Sequence, residues 1–344
     1  MSKKKVRFIA PPSDKQIGGI AAALVGLEQM LVSAGFSVAR GADIEDSSCI
    51  HHVHGLWNLS NSLTCLQLQK RGLPYIVSPH GMLEPWALAN KGVKKRIYLS
   101  LLERRVLEGA RKVFVTSDME RKHAGSLLNG VEIEVHPLGS DYTGGVDYLK
   151  ARQRLGWQSH EQVILFLSRV DPKKGLDLLI DALNVDGARY EDVSLVVVGG
   201  GEPNYMAQLE RQSQVLRDRL RRVSWVGPVW GEDRWSYLQG ADLFCLPTHS
   251  ENFGIVVLEA LLAGTPVLTT DKTPWKDCIR HGLEITSPNL ETLKSDLSRM
   301  IGTTSRDWTH QERQELSSWA RDQFSWEKLA QSYADSYQQI FTEL

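Results

Sequence analysis

The stretch from Ala241 to Thr270, ADLFCLPTHSENFGIVVLEALLAGTPVLTT, constrains the fold more than any other part of the chain. ADLFCLP is a short, continuous apolar run, which suits a strand buried on both faces, and Pro247 ends it. THSEN is polar and turn-rich. From Phe253 to Ala263 the residues favour a helix, which Gly264 and Pro266 stop. TPVLTT is the next buried strand. A strand, a loop, a helix and a second buried strand make the repeating unit of a parallel sheet covered on both faces. The unit puts Glu251 in the loop and Glu259 inside the helix, eight positions apart. At about 100° per residue, eight steps return to nearly the same helix face. Both acids can therefore look toward the helix N-terminus.

That N-terminus carries unpaired backbone N–H groups and a partial positive charge, a natural seat for a phosphate. Carboxylates repel a phosphate but accept hydrogen bonds from hydroxyls beside it. Hydroxyls flanking a diphosphate describe a nucleotide sugar. The plainer reading is that Glu251 caps the helix and Glu259 is a solvated helix acid.

At 344 residues the chain exceeds the size of a single core, so two domains are expected. A net charge of −1 gives no global pull toward nucleic acid. Cys49, Cys65, Cys245 and Cys278 show no metal-type pairing, and a reduced, cytosolic compartment is the simpler reading. The opening MSKKKVRFIAPP is basic, but its apolar run is too short for a signal peptide. No run reaches the ~18–20 apolar residues of a spanning helix, so any membrane contact must be peripheral, on the inner face.

KVRFIAPP is a first strand, followed by a helix from about Ile20 to Ala34. Between them Gly18 and Gly19 permit close approach of backbone to a phosphate or sugar, or simply a turn. The dinucleotide fingerprint GxGxxG is missing, so the pair is no evidence for NAD. CIHHVHGLW is another strand. Its histidines alternate between faces, and no carboxylate or cysteine is spaced to complete a metal site. LPYIVSPHG is a strand whose C-terminal end delivers His80, where open parallel sheets gather ligands.

The most basic stretch follows, with Lys91, Lys94, Lys95, Arg96, Arg104 and Arg105. Ile97, Tyr98, Leu101, Leu102 and Val106 give it an apolar face at helical spacing. It is either a surface helix with a solvated basic face or a contact for an anionic acceptor or membrane surface. TGGVDYLKARQRLGW is the expected linker region. VILFLS is then a strand and Gly175 opens a helix, with Arg169 and Lys174 bracketing the loop between them. Two cations at that junction can neutralise a diphosphate leaving group, or form a solvated basic loop. Gly199-Gly200-Gly201 permits backbone crowding, and FSWEKLAQSYADSYQQIF is an amphipathic C-terminal helix.

Glu251 and Glu259, with Phe253 and Gly254 after the first and Gly264, Pro266 and Val267 after the second, resemble the family 4 retaining glycosyltransferases. S-R-x-x-P-x-K-G around Arg169 and Lys174 is similar to that family's cation pair, HPLG to its interdomain segment, and SPHGM to its histidine after a first-domain strand. The resemblance covers nearly the whole chain. It implies the GT-B fold: an α/β chain of two Rossmann-like domains, their parallel sheets facing across a cleft that holds the active site. Residues 1–150 would form the acceptor-side domain, joined by a C-terminal helix at about 326–344 packing back on it. Residues 151–325 would form the nucleotide-sugar domain. The implied reaction moves a hexose from a nucleoside-diphosphate sugar to a glycan or lipid-linked hydroxyl in polysaccharide synthesis, with retention of configuration and no cofactor or bound metal.

On the same resemblance, Arg169, Lys174, Glu251 and His80 carry the catalytic roles. The donor is held by Gly18, Gly19, Gly199, Gly227, Val229, Asn252, Phe253, Gly254, Ile255 and Glu259. A UDP-sugar is expected ahead of a GDP-sugar. Asn252 stands where the family commonly has glycine, and WKDCIRHGLEITSPN is short beside the usual glycine-rich segment. Two rivals remain: a nucleotide-sugar epimerase of the same fold, and a two-lobed sugar-binding protein without chemistry.

Overall fold

The computed structural model describes residues 4–10, 19–44, 48–89, 92–140, 142, 144–184, 190–303 and 308–343. The chain divides into two compact units, Met1–Asp141 with Gln323–Leu344, and Tyr142–Asp322.

The first unit holds β1 (Lys5–Ile9), β2 (Ser37–Arg40), β3 (Cys49–His54), β4 (Tyr75–Ser78), β5 (Lys112–Val115) and β6 (Glu132–Val135). They pair in parallel in the order β2-β1-β3-β4-β5-β6. Its helices are α1 (Gly19–Ser33), α2 (Leu59–Lys70), α3 (Pro85–Ala89), α4 (Gly92–Tyr98), α5 (Arg104–Glu108) and α6 (Asp118–Gly125), with a π-helical turn over Leu99–Glu103. Alternation along the strands sends residues to two cores. Val6, Phe8, Ile50 and Phe114 pack against α1 and the C-terminal helix Trp326–Thr342. Ile9, Val53, Val77 and Val113 pack on the other face against Leu68 and Leu107. Trp326, Tyr333, Tyr337 and Ile340 are buried in the first core, so the C-terminal helix belongs to this unit.

The second unit holds β7 (Gln162–Leu167), β8 (Tyr190–Val198), β9 (Leu220–Gly227), β10 (Leu243–Leu246), β11 (Val267–Thr270) and β12 (Leu283–Thr286). Its helices are α7 (Tyr148–Leu155), α8 (Leu176–Leu183), α9 (Pro203–Gln212), α10 (Asp233–Gly240), α11 (Ile255–Leu262), α12 (Leu290–Thr303) and α13 (His310–Phe324). The parallel order is β12-β11-β10-β7-β8-β9. The chain winds outward from β7 to β9, then returns and winds the other way from β10. The crevice beyond the C-terminal ends of β7 and β10 is therefore the topological switch point, where sheets of this kind bind ligands.

Two expectations are corrected. The expected linker contains α7, capped by Asp147 and stopped by Gly156 in the left-handed region. Arg152 on α7 is buried and donates to Asp242 Oδ2 at 2.8 Å and to the Gly240 carbonyl at 3.0 Å. These long-range partners turn a polar, glycine-bearing segment into part of a core. The basic stretch does not form one helix with one buried face. At the π turn the Arg104 N–H reaches back five residues to Leu99 O, which shifts the helical phase. Val106 is buried, whereas Ile97 and Leu101 point to solvent.

Candidate active site

The unit read first from sequence forms as β10, a loop, α11 and β11. Gly254 adopts φ +75 and opens α11 with no side-chain cap. On the neighbouring strand, Gly175 adopts φ +70 and opens α8, also uncapped. A Cβ on Gly175 would lie 2.1 Å from the Pro247 carbonyl oxygen, so only glycine lets the two loops close on each other. Two helix N-termini with unspent backbone donors thus sit at the ends of β7 and β10, the switch point.

The loops are laced together. The His249 N–H and the Thr248 hydroxyl donate to the Lys173 carbonyl at 2.8 and 2.9 Å. The Lys174 ammonium donates to Glu251 Oε1, and both side chains are largely buried. Thr248 Oγ1 lies 3.4 Å from the same oxygen. Glu251 Oε2 has no partner among the described residues, and neither does the buried Oδ1 of Asn252. Arg169 is exposed and forms no ion pair among them. Asp171 caps the short turn Pro172–Lys174 by accepting from the Lys173 N–H at 2.9 Å.

Glu259 is buried on α11 and pairs with Arg234 of α10 at 2.8 Å. Burial raises the Glu259 carboxyl, and with the opposing guanidinium of Arg234 in place it stands at about 6. Neither acid plays its plainer part. Glu251 caps nothing in α11, and Glu259 is not solvated.

The residues expected to bind the donor separate by what surrounds them. Phe253 is buried against Trp275, whose indole N–H donates to the Phe253 carbonyl at 2.6 Å. It anchors the loop that presents Asn252, Gly254 and Ile255. Gly199 adopts φ +142, and a Cβ there would lie 1.8 Å from Ser168 O. The crowding that this glycine permits comes from the chain itself, where the Val170 N–H reaches Gly200 O at 2.8 Å. Gly227, with φ +84, is the last residue of β9, and the half-buried Val229 follows it.

In the first unit His80 follows β4 with φ +51. Trp57, after β3, is the other non-glycine residue with positive φ among those described. His80 Nε2 lies 3.0 Å from His54 Nδ1, and burial holds its ring down to about 4, so it is neutral at physiological pH. Glu120 Oε1 accepts from the adjoining Gly81 N–H at 2.6 Å and fixes the turn. His52 and His54 share a face of β3 with ring centroids 3.9 Å apart. Gly19 is the first residue of α1, and Gly18 lies outside the described residues. Arg234, Trp275, Thr248 and Glu120 escaped the sequence reading. Arg234, Trp275 and Glu120 meet partners 22 to 39 positions away, which no local pattern marks, and Thr248 meets Glu251 within its own loop.

Two doubly wound units, one with cations and uncapped helices at its switch point, set the fold and the local chemistry, in which positive charge and free backbone N–H groups favour an anion. Residues 6–139 match the model for "Glycosyl transferase 4-like domain", and residues 147–313 match that for "Glycosyl transferases group 1". The chain belongs to the family 4 glycosyltransferases, with the GT-B fold. It is 27% identical over 300 residues to phosphatidyl-myo-inositol mannosyltransferase of Mycobacterium leprae, spanning 81% of this chain and 73% of that protein. With the Mycobacterium tuberculosis protein of the same description it shares 36% identity over 169 residues, 48% of this chain and only 42% of that one. Sucrose-phosphate synthase of Thermosynechococcus elongatus matches in fold with a TM-score of 0.80 at 19% identity, covering 99% of this chain and 100% of that one. Anabaena HepE, solved with UDP-glucose, matches with a TM-score of 0.75 at 20% identity over 97% and 99% of the two chains.

Proposed function

We propose that this glycosyltransferase moves a hexose, with retention, from a nucleoside-diphosphate sugar to a hydroxyl of a glycan or lipid-linked acceptor in polysaccharide synthesis. The observation that carries the reading is the switch point of the second unit. Lys174, the exposed Arg169 and the uncapped N-termini after Gly175 and Gly254 all lie at the ends of two adjacent strands. Positive charge and unspent N–H groups there suit a diphosphate that gains charge as it leaves. Glu251 Oε2 and the Asn252 amide are assigned to hydroxyls of the donor sugar. Glu259 is assigned to the ribose and His80 to the donor sugar. The acceptor hydroxyl attacks from the side the diphosphate vacates. Charge stabilisation at the leaving group supplies the largest share of the rate, on the order of 2–4 kcal/mol per well-placed donor. The UDP-glucose held by Anabaena HepE supports a UDP-sugar ahead of a GDP-sugar.

The test is release of nucleoside diphosphate from UDP-glucose, UDP-galactose, UDP-N-acetylglucosamine and GDP-mannose, with the product anomer read by NMR. One donor is expected to be turned over, with its anomeric configuration kept. Interconversion of the UDP-sugars without release of UDP would establish the epimerase. Binding of a sugar with no release from any donor would establish a binding protein.

A further inference from the structure

Deepening the assignment of His80 to the donor sugar, on which the inference rests, we propose that His54 is a positioning residue. It locks the His80 ring in one tautomer and leaves Nδ1 as the nitrogen offered to the sugar. The placement begins in the sheet. Alternation puts His52 and His54 on one face of β3, both with an edge-on contact to Phe8. β3 and β4 pair with His54 opposite Ser78, two residues before His80. His80 and Gly81 then both take positive φ, +51 and +75, and His80 Nε2 lies 3.0 Å from His54 Nδ1. A left-handed conformation is costly for a residue with a Cβ and persists only where the surroundings hold it. Two anchors hold this one. The buried Glu120 accepts from the Gly81 N–H at 2.6 Å, and from the Thr116 N–H and hydroxyl at 2.8 and 3.0 Å. Glu120 thus fixes the backbone of the turn, and His54 is the side chain that engages the ring.

The ring nitrogens divide unequally. His52 uses both of its own, on the Tyr337 hydroxyl at 2.5 Å and on Ser78 Oγ at 2.8 Å. His54 Nε2 is buried and has no partner among the described residues. His80 is only partly buried, and its Nδ1 has no partner among them either. One unpartnered nitrogen is therefore sealed inside the unit, and the other belongs to the residue at the end of β4, where a ligand is expected.

Burial holds the His54 and His80 rings neutral, so each carries one N–H. A bond between two neutral imidazole nitrogens needs one N–H and one lone pair. The tautomer of His80 therefore follows from that of His54. With the proton on His54 Nδ1, His80 accepts at Nε2 and carries its own proton on Nδ1. With His54 Nδ1 bare, His80 donates from Nε2 and its Nδ1 is bare. Passing between the two arrangements adds or removes a proton at His54 Nε2, which meets neither solvent nor a described partner. It also passes through a charged ring, which burial disfavours. The pair is thus held in one arrangement, and a sugar hydroxyl meets a ring whose hydrogen-bonding character is set before it arrives. Ordering that group in advance removes a cost otherwise met on binding.

The experiment is nitrogen-15 NMR of the full chain labelled at histidine, without sugar, the His80 signals being those that His80→Gln removes. In the parent, His80 should show one protonated and one bare ring nitrogen. His54→Phe keeps a flat ring but removes its nitrogens, and should draw the two His80 signals toward the average of exchanging tautomers. His54→Asn can set an amide where Nδ1 stood and should restore the separation. Ser78→Ala frees only His52 Nε2 and should leave His80 as in the parent. Averaged His80 nitrogens in the parent would overturn the proposal whether or not any variant folds, and so would an unchanged His80 spectrum in His54→Phe. Calorimetry then reads the use of the lock. His54→Phe should bind UDP-glucose about ten-fold more weakly and UDP as the parent does. Unchanged affinity for UDP-glucose, or equal losses for both ligands, would overturn the positioning role. The spectra need no sugar, so their failure is distinct from failure of the transfer reading, which shows as no nucleotide binding by the parent.

Discussion

Lys174→Ala and Arg169→Ala each remove one cation from the same loop, and sequence alone expects both to lower turnover far more than stability. The structure separates them. Lys174 and Glu251 are 12% and 8% exposed and bonded to each other. Removing the lysine leaves a carboxylate buried without its counter-charge, a loss of about 3–5 kcal/mol when a buried pair is broken from one side. The Thr248 hydroxyl at 3.4 Å remains as a weak donor, which favours the lower end, about 3 kcal/mol. Arg169 is exposed and unpaired among the described residues, so Arg169→Ala should fall within about 0.5 kcal/mol of the parent. Lys174→Met/Glu251→Gln removes both charges and should recover most of the loss, ending about 1 kcal/mol below the parent. Urea titration of the parent, Lys174→Met, Glu251→Gln and the double variant, read by tryptophan fluorescence, closes a double-mutant cycle, with Lys174→Ala and Arg169→Ala measured beside it. A Lys174→Ala protein as stable as Arg169→Ala, or a double variant as unstable as the sum of its single changes, would refute the buried pair. Both single variants should still lose turnover, since both cations are assigned to the diphosphate.

Glu251→Gln should weaken the intact donor and leave free nucleoside diphosphate binding nearly unchanged, whereas Glu259→Gln should weaken both. Equal losses for both ligands in both variants, by calorimetric titration, would abolish the division between sugar and ribose. Arg234→Gln removes the group that opposes burial at the Glu259 carboxyl, which stands at about 6 with the guanidinium in place. Its midpoint should therefore climb toward neutrality, and nucleoside diphosphate affinity should fall at higher pH than in the parent as the solution is acidified. Parallel pH profiles from pH 8 down would contradict this. Gly175→Ala meets both a left-handed backbone and the Pro247 carbonyl, while Gly227→Ala meets only the backbone cost. The first should lose well over 2 kcal/mol and the second about 1, by thermal or urea unfolding.

Much of the site was legible because its elements are local. Apolar runs, Pro247 and Gly264 placed β10, α11 and β11, and with them Glu251 in a loop and Glu259 in a helix. Strand followed by glycine placed Lys174 at a helix N-terminus, and SPHG placed His80 past the end of β4. These are questions of period and backbone permission, which neighbouring residues decide.

What the tertiary structure decided is which partner each side chain meets. Lys174 spends its charge on Glu251, 77 positions along. Glu259 is held by Arg234, Phe253 is turned inward by Trp275, and Gly199 makes room for the chain's own Ser168. Arg152 finds Asp242 and draws an apparent linker into a core. Ile97 and Leu101 lie exposed while Val106 is buried, so the apolar residues of the basic stretch do not share one covered face. A sequence window fixes φ, ψ and periodicity because those depend on adjacent atoms. Burial and ion pairing depend on atoms brought close by the sheet order, which no window contains.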